Sequence, residues 1–536
     1  MLQHTKFLGV NLNYLSRLIK DFTVDAASRK FMDFNSRRWT KLKHHGSKSE
    51  ILVELYTVSQ TILAFSYVAN ILAEKHNAEL VSFSTSTRNS YLYAQRYRKT
   101  YNIYKSFNVN FHVNTGNLPN ISSIKSWCSA IFKSLKSKAD IFKIVIDGCP
   151  IGAEIYEAYL GSRLKPTVEI GSQDFESFLL DCLKLYCFWK DYFETHDVKA
   201  VIMSHGIYQY GIIKQIAFKK GIPVYLPNIR ALCCLKDAAK LGNPDFHLYP
   251  QQFNSLPTDV QEKGIHWAKQ QLQRRLSGEV GVDISYLTAS AYDKYNYSVK
   301  VLRESNKLKV LIATHCFFDA PNAYGENLFP DFYEWLTFLG EMSNKTDYDW
   351  YLKTHPDVQP GNDEIIDELL NKYPKISRVP CSTSHHQLAA EGITRVLTVY
   401  GSIGHECPLL GQIAINAGVN NQHIGYGFNV HAKSREEYEN ILLNLENINI
   451  TIDVNEIYEF YFINFKYNIC QKLFVNSYSD FMNSLNVEEQ NSSKAYQYFL
   501  NEYTHEKDAL LYNKISTFID SGDYKYFENE FEFEGI

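Results

Sequence analysis

AVIMSHGIYQYGIIKQIAFKKGIPVYL, residues 200–226, contains a complete folding unit. Ala200–Met203 is a short apolar run suited to a buried strand. Tyr210–Lys220 carries apolar residues at helical spacing, and Gly221-Ile222-Pro223 ends that helix before a second strand at Val224–Leu226. Strand, helix, stop and strand make a right-handed βαβ unit, the building block of a parallel sheet. Working outward, Ile51–Leu55, Glu79–Phe83 and Ile141–Ile146 read as further strands, and Thr61–Glu74 as a helix. Residues 49–251 are therefore expected to form one Rossmann-like domain.

The alternation restarts downstream. Leu308–Ala313, Trp350–Lys353, Arg395–Val399 and Ile413–Asn416 read as strands, with helices expected at Phe329–Met342, Asp363–Lys372 and from His405 to Gly411. Residues 306–445 become a second Rossmann-like domain, joined to the first by a polar, helical connector at 252–305. The expected fold class is α/β, with two such domains facing across a cleft and a helical C-terminal segment at 446–536. Open parallel sheets bind ligands beyond the carboxyl ends of their strands, so chemistry is expected there. The last stretch, Asp523–Ile536, holds five acids against one Lys and reads as a fraying end.

Composition sets bounds on function. The 536 residues are 45% hydrophobic and 21% charged, with a net charge of −4, so no chain-wide basic surface argues for nucleic acid. Ten cysteines without a CxxC pair fit reduced thiols in a cytoplasm. No apolar run is long enough to span a membrane, and Met1–Lys6 opens no signal peptide. Residues 1–48 carry ten Lys/Arg against three Asp/Glu, including Arg37, Arg38, Lys41 and Lys43. Leu12, Leu15, Leu18, Ile19 and Phe22 recur at helical spacing just before them. Two readings fit this segment: a peripheral helix with a basic flank that touches an anionic membrane surface, or a helix packed on the domain with a solvated basic loop.

Polar residues gather at the expected strand ends. Lys353, Thr354, His355 and Pro356 follow one strand, and Gly401-Ser402-Ile403-Gly404-His405-Glu406 follows another. Glycine spacing, free amides and a helix start suit an anionic phosphate, and Glu406 is placed to accept ribose hydroxyls. A third strand end carries His315 and Asp319, while Phe329, Phe332 and Trp335 are expected to pack the following helix. In the first half, Asp147 sits between Ile146 and Gly148, with Glu154 and Glu157 just beyond, and His205 and Tyr208 follow another strand. A carboxylate or imidazole there suits a general base or nucleophile. Asp347-Tyr348-Asp349 lies in a polar turn, His385-His386 is poorly spaced for one metal face, and Cys233-Cys234 lacks a partner pair. No metal or other cofactor is expected.

The segments Lys353–Pro356, Gly401–Glu406 and Leu410–Gly418, with Asp147-Gly148, Ser204–Tyr208 and His315–Asp319, resemble bacterial capsule and surface-polysaccharide biosynthesis proteins. These are two-domain glycosyltransferases of GT-B architecture, and the chain is most similar to those using CMP-activated ulosonic acids: Kdo, sialic, legionaminic or pseudaminic acid. The resemblance spans about residues 50–440. It implies that His355 and Ser402 contact the CMP phosphate, that Glu406 contacts the ribose, and that Asp147 or a neighbouring carboxylate acts on acceptor or sugar. The related sialyl- and polysialyltransferases carry an acidic pair before glycine, whereas Ile146 precedes Asp147 here, which leaves the base open among Asp147, Glu154 and Glu157.

The implied function is transfer of a ulosonic acid from its CMP donor to an oligosaccharide or lipid-linked acceptor, by a cytoplasmic enzyme expected to associate peripherally with the inner face of the cytoplasmic membrane. Two alternatives stand beside it: a nucleotide-sugar epimerase or hydrolase on the same scaffold, and a non-catalytic subunit of polysaccharide assembly or export.

Overall fold

The computed structural model describes residues 24–39, 48–85, 97–115, 122–237, 246–284, 289–293, 299–323, 325, 327–355 and 360–528. Leu12 through Phe22, Lys41, Lys43 and Pro356 lie outside the described residues.

In chain order the first half supplies β1 (Ser49–Glu54), β2 (Glu79–Ser84), β3 (Val109–Asn114), β4 (Val145–Ile146), β5 (Cys149–Pro150), β6 (Asp197–Ile202), β7 (Val224–Asn228) and β8 (Ala231–Leu235). The second half supplies β9 (Lys309–Ala313), β10 (Asp349–Lys353), β11 (Ile376–Arg378), β12 (Ile393–Thr398), β13 (Ile413–Asn416) and β14 (Asn429–His431). The two large sheets run β3-β2-β1-β6-β7-β8 and β11-β10-β9-β12-β13-β14. Both have the doubly wound order in which the chain starts in the middle, moves to one edge and returns to build the other. Within these two sheets every pairing is parallel except β7 with β8. The reversal of strand order falls between β1 and β6 in one sheet and between β9 and β12 in the other. These are two Rossmann-like domains facing across a cleft, with a helical C-terminal extension, in a GT-B-like arrangement.

The central strands are apolar because both faces are covered. Ile51, Leu52 and Val53 of β1 and Val310, Leu311 and Ile312 of β9 are fully buried. The C-terminal helices return to the first domain. Phe31 stacks on Tyr496 at 4.2 Å, and Tyr67 donates to Asp508 at 2.7 Å. In the N-terminal helix Ala26–Arg38, the guanidinium of Arg38 pairs with Asp508 at 2.7 Å and lies over Trp39. That member of the basic cluster is engaged in packing, while the helix that both readings of the segment concern, Leu12 through Phe22, lies outside the described residues.

Two expectations are corrected. Ile141–Ile146 is not a sheet strand: a capping box between Ser137 and Asp140 starts a short helix, Lys138–Phe142, and only Val145–Ile146 is extended, in a hairpin with β5. The end of the chain does not fray as far as residue 528. Tyr526 N–H bonds Leu232 O at 2.9 Å, and Glu528 accepts the Gln471 and Lys472 amides. Among the described residues no helix is long and apolar enough to cross a membrane.

Candidate functional site

At the carboxyl edge of the second sheet lies a cavity of about 770 Å³. Strand ends line it in turn: Thr314, His315 and Asp319 after β9, Lys353, Thr354 and His355 at β10, and Gly401, Ser402, Ile403 and Glu406 after β12. His385, beyond β11, closes one side, and Arg275, Asp283 and Tyr292 of the connector close another. Arg230 and Phe246 reach it from the end of the first half. The two loops singled out by sequence, after β10 and after β12, thus share one chamber.

Its chemistry is set by groups left without partners. Lys353 ends β10 with 3% of its surface exposed, and no described residue bonds or ion-pairs with its ammonium group. Burial pulls its pKa down. Thr354 Oγ1 and His385 Nδ1 are buried and also unbonded. Buried polar groups are nearly always satisfied, and a buried cation above all needs an anion. Three such groups around one cavity leave polar capacity that the described residues do not meet. Of the three imidazoles that line the cavity, burial lowers His315 and His385 to about 3. His315 Nε2 accepts the Val399 N–H at 3.2 Å and meets Thr398 Oγ1 at 3.1 Å, so its ring is fixed rather than free to swing.

The loop after β12 differs from the expected helix start. The helix Ile403–Glu406 is a single turn that runs into a 3-10 turn, Cys407–Leu410, so its dipole contributes little. Gly401 is needed where it stands. Its N–H bonds Thr398 Oγ1 at 3.2 Å, and a Cβ there would lie 2.9 Å from that oxygen. Ser402 then faces the cavity.

Glu406 also differs from expectation. It lines the cavity but is buried, with Arg275 Nε on one oxygen and the Tyr292 hydroxyl on the other at 2.7 Å. Burial alone would raise its pKa; the Arg275 charge and these bonds hold it below the usual range. It is an ionised anchor between connector and sheet, with only its remaining lone pairs available to a ribose. His405 and Gly404 do not line the cavity. His405 points into the core, where its Nδ1 meets His423 Nε2 at 3.0 Å, and Gly404 leaves room for the His423 ring. The apolar side of a one-turn helix faces inward, and His405 falls on it.

The first-half candidates divide. Asp147 is away from the cavity. It sits at φ +49° in the β4–β5 turn, 44% exposed, bonded to Lys190 at 2.8 Å and Tyr186 at 3.1 Å. The Lys190 ammonium holds it below the usual carboxylate range. Its expected strand end does not exist, because the segment leaves the sheet. Glu157 is buried on the helix Gly152–Arg163 at the seam between the halves, where its Oε1 accepts the Asn322 N–H at 2.8 Å. Burial pushes it up to about 8. Glu154 pairs with buried Lys214 at 3.4 Å. His205 stands after β6, and its neighbour Tyr208 donates to Asp319 Oδ1 at 3.0 Å across the seam.

Sequence reasoning missed His385, Arg275 and Tyr292. The signal for His385 was a fourth strand end, hidden because three-residue β11 carries no readable pattern. Among the described residues no group of three or more His, Cys, Asp or Glu is placed to hold a metal ion.

No protein-family model and no curated protein matches the chain. Solved structures with which it shares a likeness include KpsC, a β-Kdo 2,4 transferase of Thermosulfurimonas dismutans, at 13% identity over 49% of this chain and 79% of that one, with a TM-score of 0.30. They also include the UDP-GlcNAc 2-epimerase of Neisseria meningitidis bound to UDP-GlcNAc, at 12% identity over 85% and 100%, with a TM-score of 0.22. A third is Alr3699/HepE of Anabaena in complex with UDP and glucose, at 9% identity over 84% and 98%, with a TM-score of 0.23. Likenesses this distant bear on none of the side chains described above.

Proposed function

We propose that the chain is a glycosyltransferase that takes a ulosonic acid from a CMP-activated donor and passes it to a saccharide acceptor in capsule or surface-polysaccharide biosynthesis. One observation carries the reading: Lys353, a buried ammonium group without a partner among the described residues, lines a cavity large enough for a nucleotide. A monophosphate diester supplies the missing anion. Thr354 Oγ1 and Ser402 line the same cavity and can donate to its oxygens, and the neutral His315 and His385 rings offer N–H donors without adding charge. CMP is named because of the sequence resemblance of the loops after β10 and β12.

The chemistry asks for little more. As the glycosyl–oxygen bond breaks, negative charge grows on the departing phosphate, and a fixed cation in a water-poor site stabilises that charge more than it does in water. The acceptor enters from the first domain, whose strand ends face the same cleft.

The test is thermal stability with nucleotides. CMP binds only the folded chain and raises the melting temperature by mass action. Lys353→Ala loses the shift, while UDP at equal concentration gives none. A shift with UDP and none with CMP overturns the donor assignment. Turnover of donor at full rate without any acceptor overturns transfer in favour of an epimerase or hydrolase.

A further inference from the structure

β1 ends on Glu54, a carboxylate with 1% exposure at the carboxyl edge of the first sheet. Its Oε2 accepts two hydrogen bonds from one residue of the neighbouring strand end, Ser204 N–H at 2.6 Å and Ser204 Oγ–H at 2.8 Å. A serine hydroxyl has a single proton. With that proton committed to Glu54, Ser204 Oγ faces His205 as an acceptor. The 3.3 Å contact between Oγ and His205 Nδ1 therefore has Nδ1–H as its donor. The relay leaves His205 Nε2 as a bare lone pair, and no described residue bonds it.

The ring is half-buried and framed by Tyr56, Tyr208 and Tyr210, with centroids 6.4, 6.1 and 6.1 Å away. Tyr208 has φ +54°, a conformation that a bulky side chain holds only when its surroundings impose it. Those surroundings include Asp319, which bonds the Tyr208 hydroxyl and lines the cavity of the second domain. The imidazole thus stands on the first domain, one tyrosine away from the wall of the donor site. Burial pushes the Glu54 carboxyl above its usual range, and the two Ser204 bonds work against that shift without cancelling it. Glu54 and His205 are electrostatically linked through the serine.

We propose that His205 is the acceptor-side base and that Glu54 and Ser204 are positioning residues that hold its imidazole in the Nδ1–H tautomer. This rests on the transfer reading above. In the step, the acceptor hydroxyl oxygen bonds to the anomeric carbon and its proton passes to His205 Nε2. The bond from that carbon to the phosphate oxygen breaks, and CMP leaves with the electron pair. Glu54 then faces a positive imidazolium across Ser204, which favours the charged ring as it forms.

The tautomer is directly observable. In the full chain labelled with 15N-histidine, long-range 1H–15N correlation reports which ring nitrogen carries the proton, and His205→Gln identifies the resonances by difference. Wild type is expected to show Nδ1–H. Ser204→Ala and Glu54→Gln move it toward Nε2–H, and Ser204→Thr, which keeps the hydroxyl, restores it. An Nε2–H ring in wild type, or one unmoved by Ser204→Ala, overturns the relay. If Glu54→Gln does not fold, Ser204→Ala decides alone, since it removes only a half-buried hydroxyl. The CMP thermal shift, measured on the same samples, separates the two claims. His205→Gln and Ser204→Ala are expected to keep that shift while transfer falls at least tenfold. A wild type with Nδ1–H and no CMP shift overturns the transfer reading and the base assignment together, and leaves the tautomer result as a separate finding.

Discussion

Lys353 sets stability against binding. Its ammonium group is buried with no hydrogen bond or ion pair among the described residues and only the charge of Glu406, beyond ion-pair range, favouring it, so the folded state carries a desolvation cost that an apolar side chain of similar length does not. Lys353→Met is expected to raise unfolding stability by about 1–3 kcal/mol while abolishing the CMP-induced shift, and urea unfolding with and without CMP reads both. Loss of stability in this variant would show that the ammonium is satisfied inside the fold. The histidines act on pH in the opposite sense to a salt-bridged group. His315 and His385 stay neutral in the folded state down to about pH 3, whereas in the unfolded chain they take up protons below about pH 6.5. The unfolded state therefore binds more protons, and stability falls as pH drops from about 6.5, by about 1.4 kcal/mol per pH unit for each ring. Urea midpoints at pH 7.5, 6 and 5 measure that slope, and His385→Asn is expected to flatten it.

At the scale of elements, the sequence discloses what is covered on both faces and hides what lies at an edge. β1, β6, β9, β10 and β12 are near-continuous apolar runs because helices pack on each side, and all five are readable. β3, β11 and β14 are edge strands whose polar positions break any apolar run, and they go unread. The site follows the same division. His315, Lys353, His355 and Ser402 were legible because each follows a readable strand; His385 follows an unreadable one. Glu54 was invisible for another reason: it ends a strand whose apolar residues explain it as mere punctuation, and its meaning appears only beside Ser204, 150 positions away. Asp147 marks the opposite error, an apolar run taken for a strand that is a helix, a turn and a hairpin. Asp147→Asn is accordingly expected to leave the CMP shift and transfer unchanged. Its exposed pair with Lys190 contributes only about 0–1 kcal/mol. A tenfold loss of transfer in Asp147→Asn would return the hairpin to the catalytic machinery.

At the scale of the whole molecule, the buried carboxylate of Asp331 joins the two halves, together with the Glu157–Asn322 and Tyr208–Asp319 contacts. Asp331 has 2% exposure; its Oδ1 caps the helix Phe332–Lys345 by accepting Glu334 N–H at 2.7 Å. Its Oδ2 accepts hydroxyls from the first domain, Thr167 at 2.6 Å and Tyr156. One residue thus starts a helix of the second domain and fastens the first domain to it. Removing the two hydroxyls by Tyr156→Phe with Thr167→Val keeps the cap, and so keeps the second sheet and its cavity. It leaves the buried outer oxygen of Asp331 without partners from the first domain, which favours an opened arrangement in which water reaches it. The double variant is expected to show a larger radius of gyration in small-angle scattering and an unchanged CMP shift, because Lys353, Thr354 and Ser402 all belong to the second domain. Transfer should fall sharply, since His205 and the proposed donor cavity sit on opposite sides of the loosened seam. If the CMP shift vanishes with the closure, the donor site extends into the first domain, and Arg230 at its margin becomes the residue to replace next.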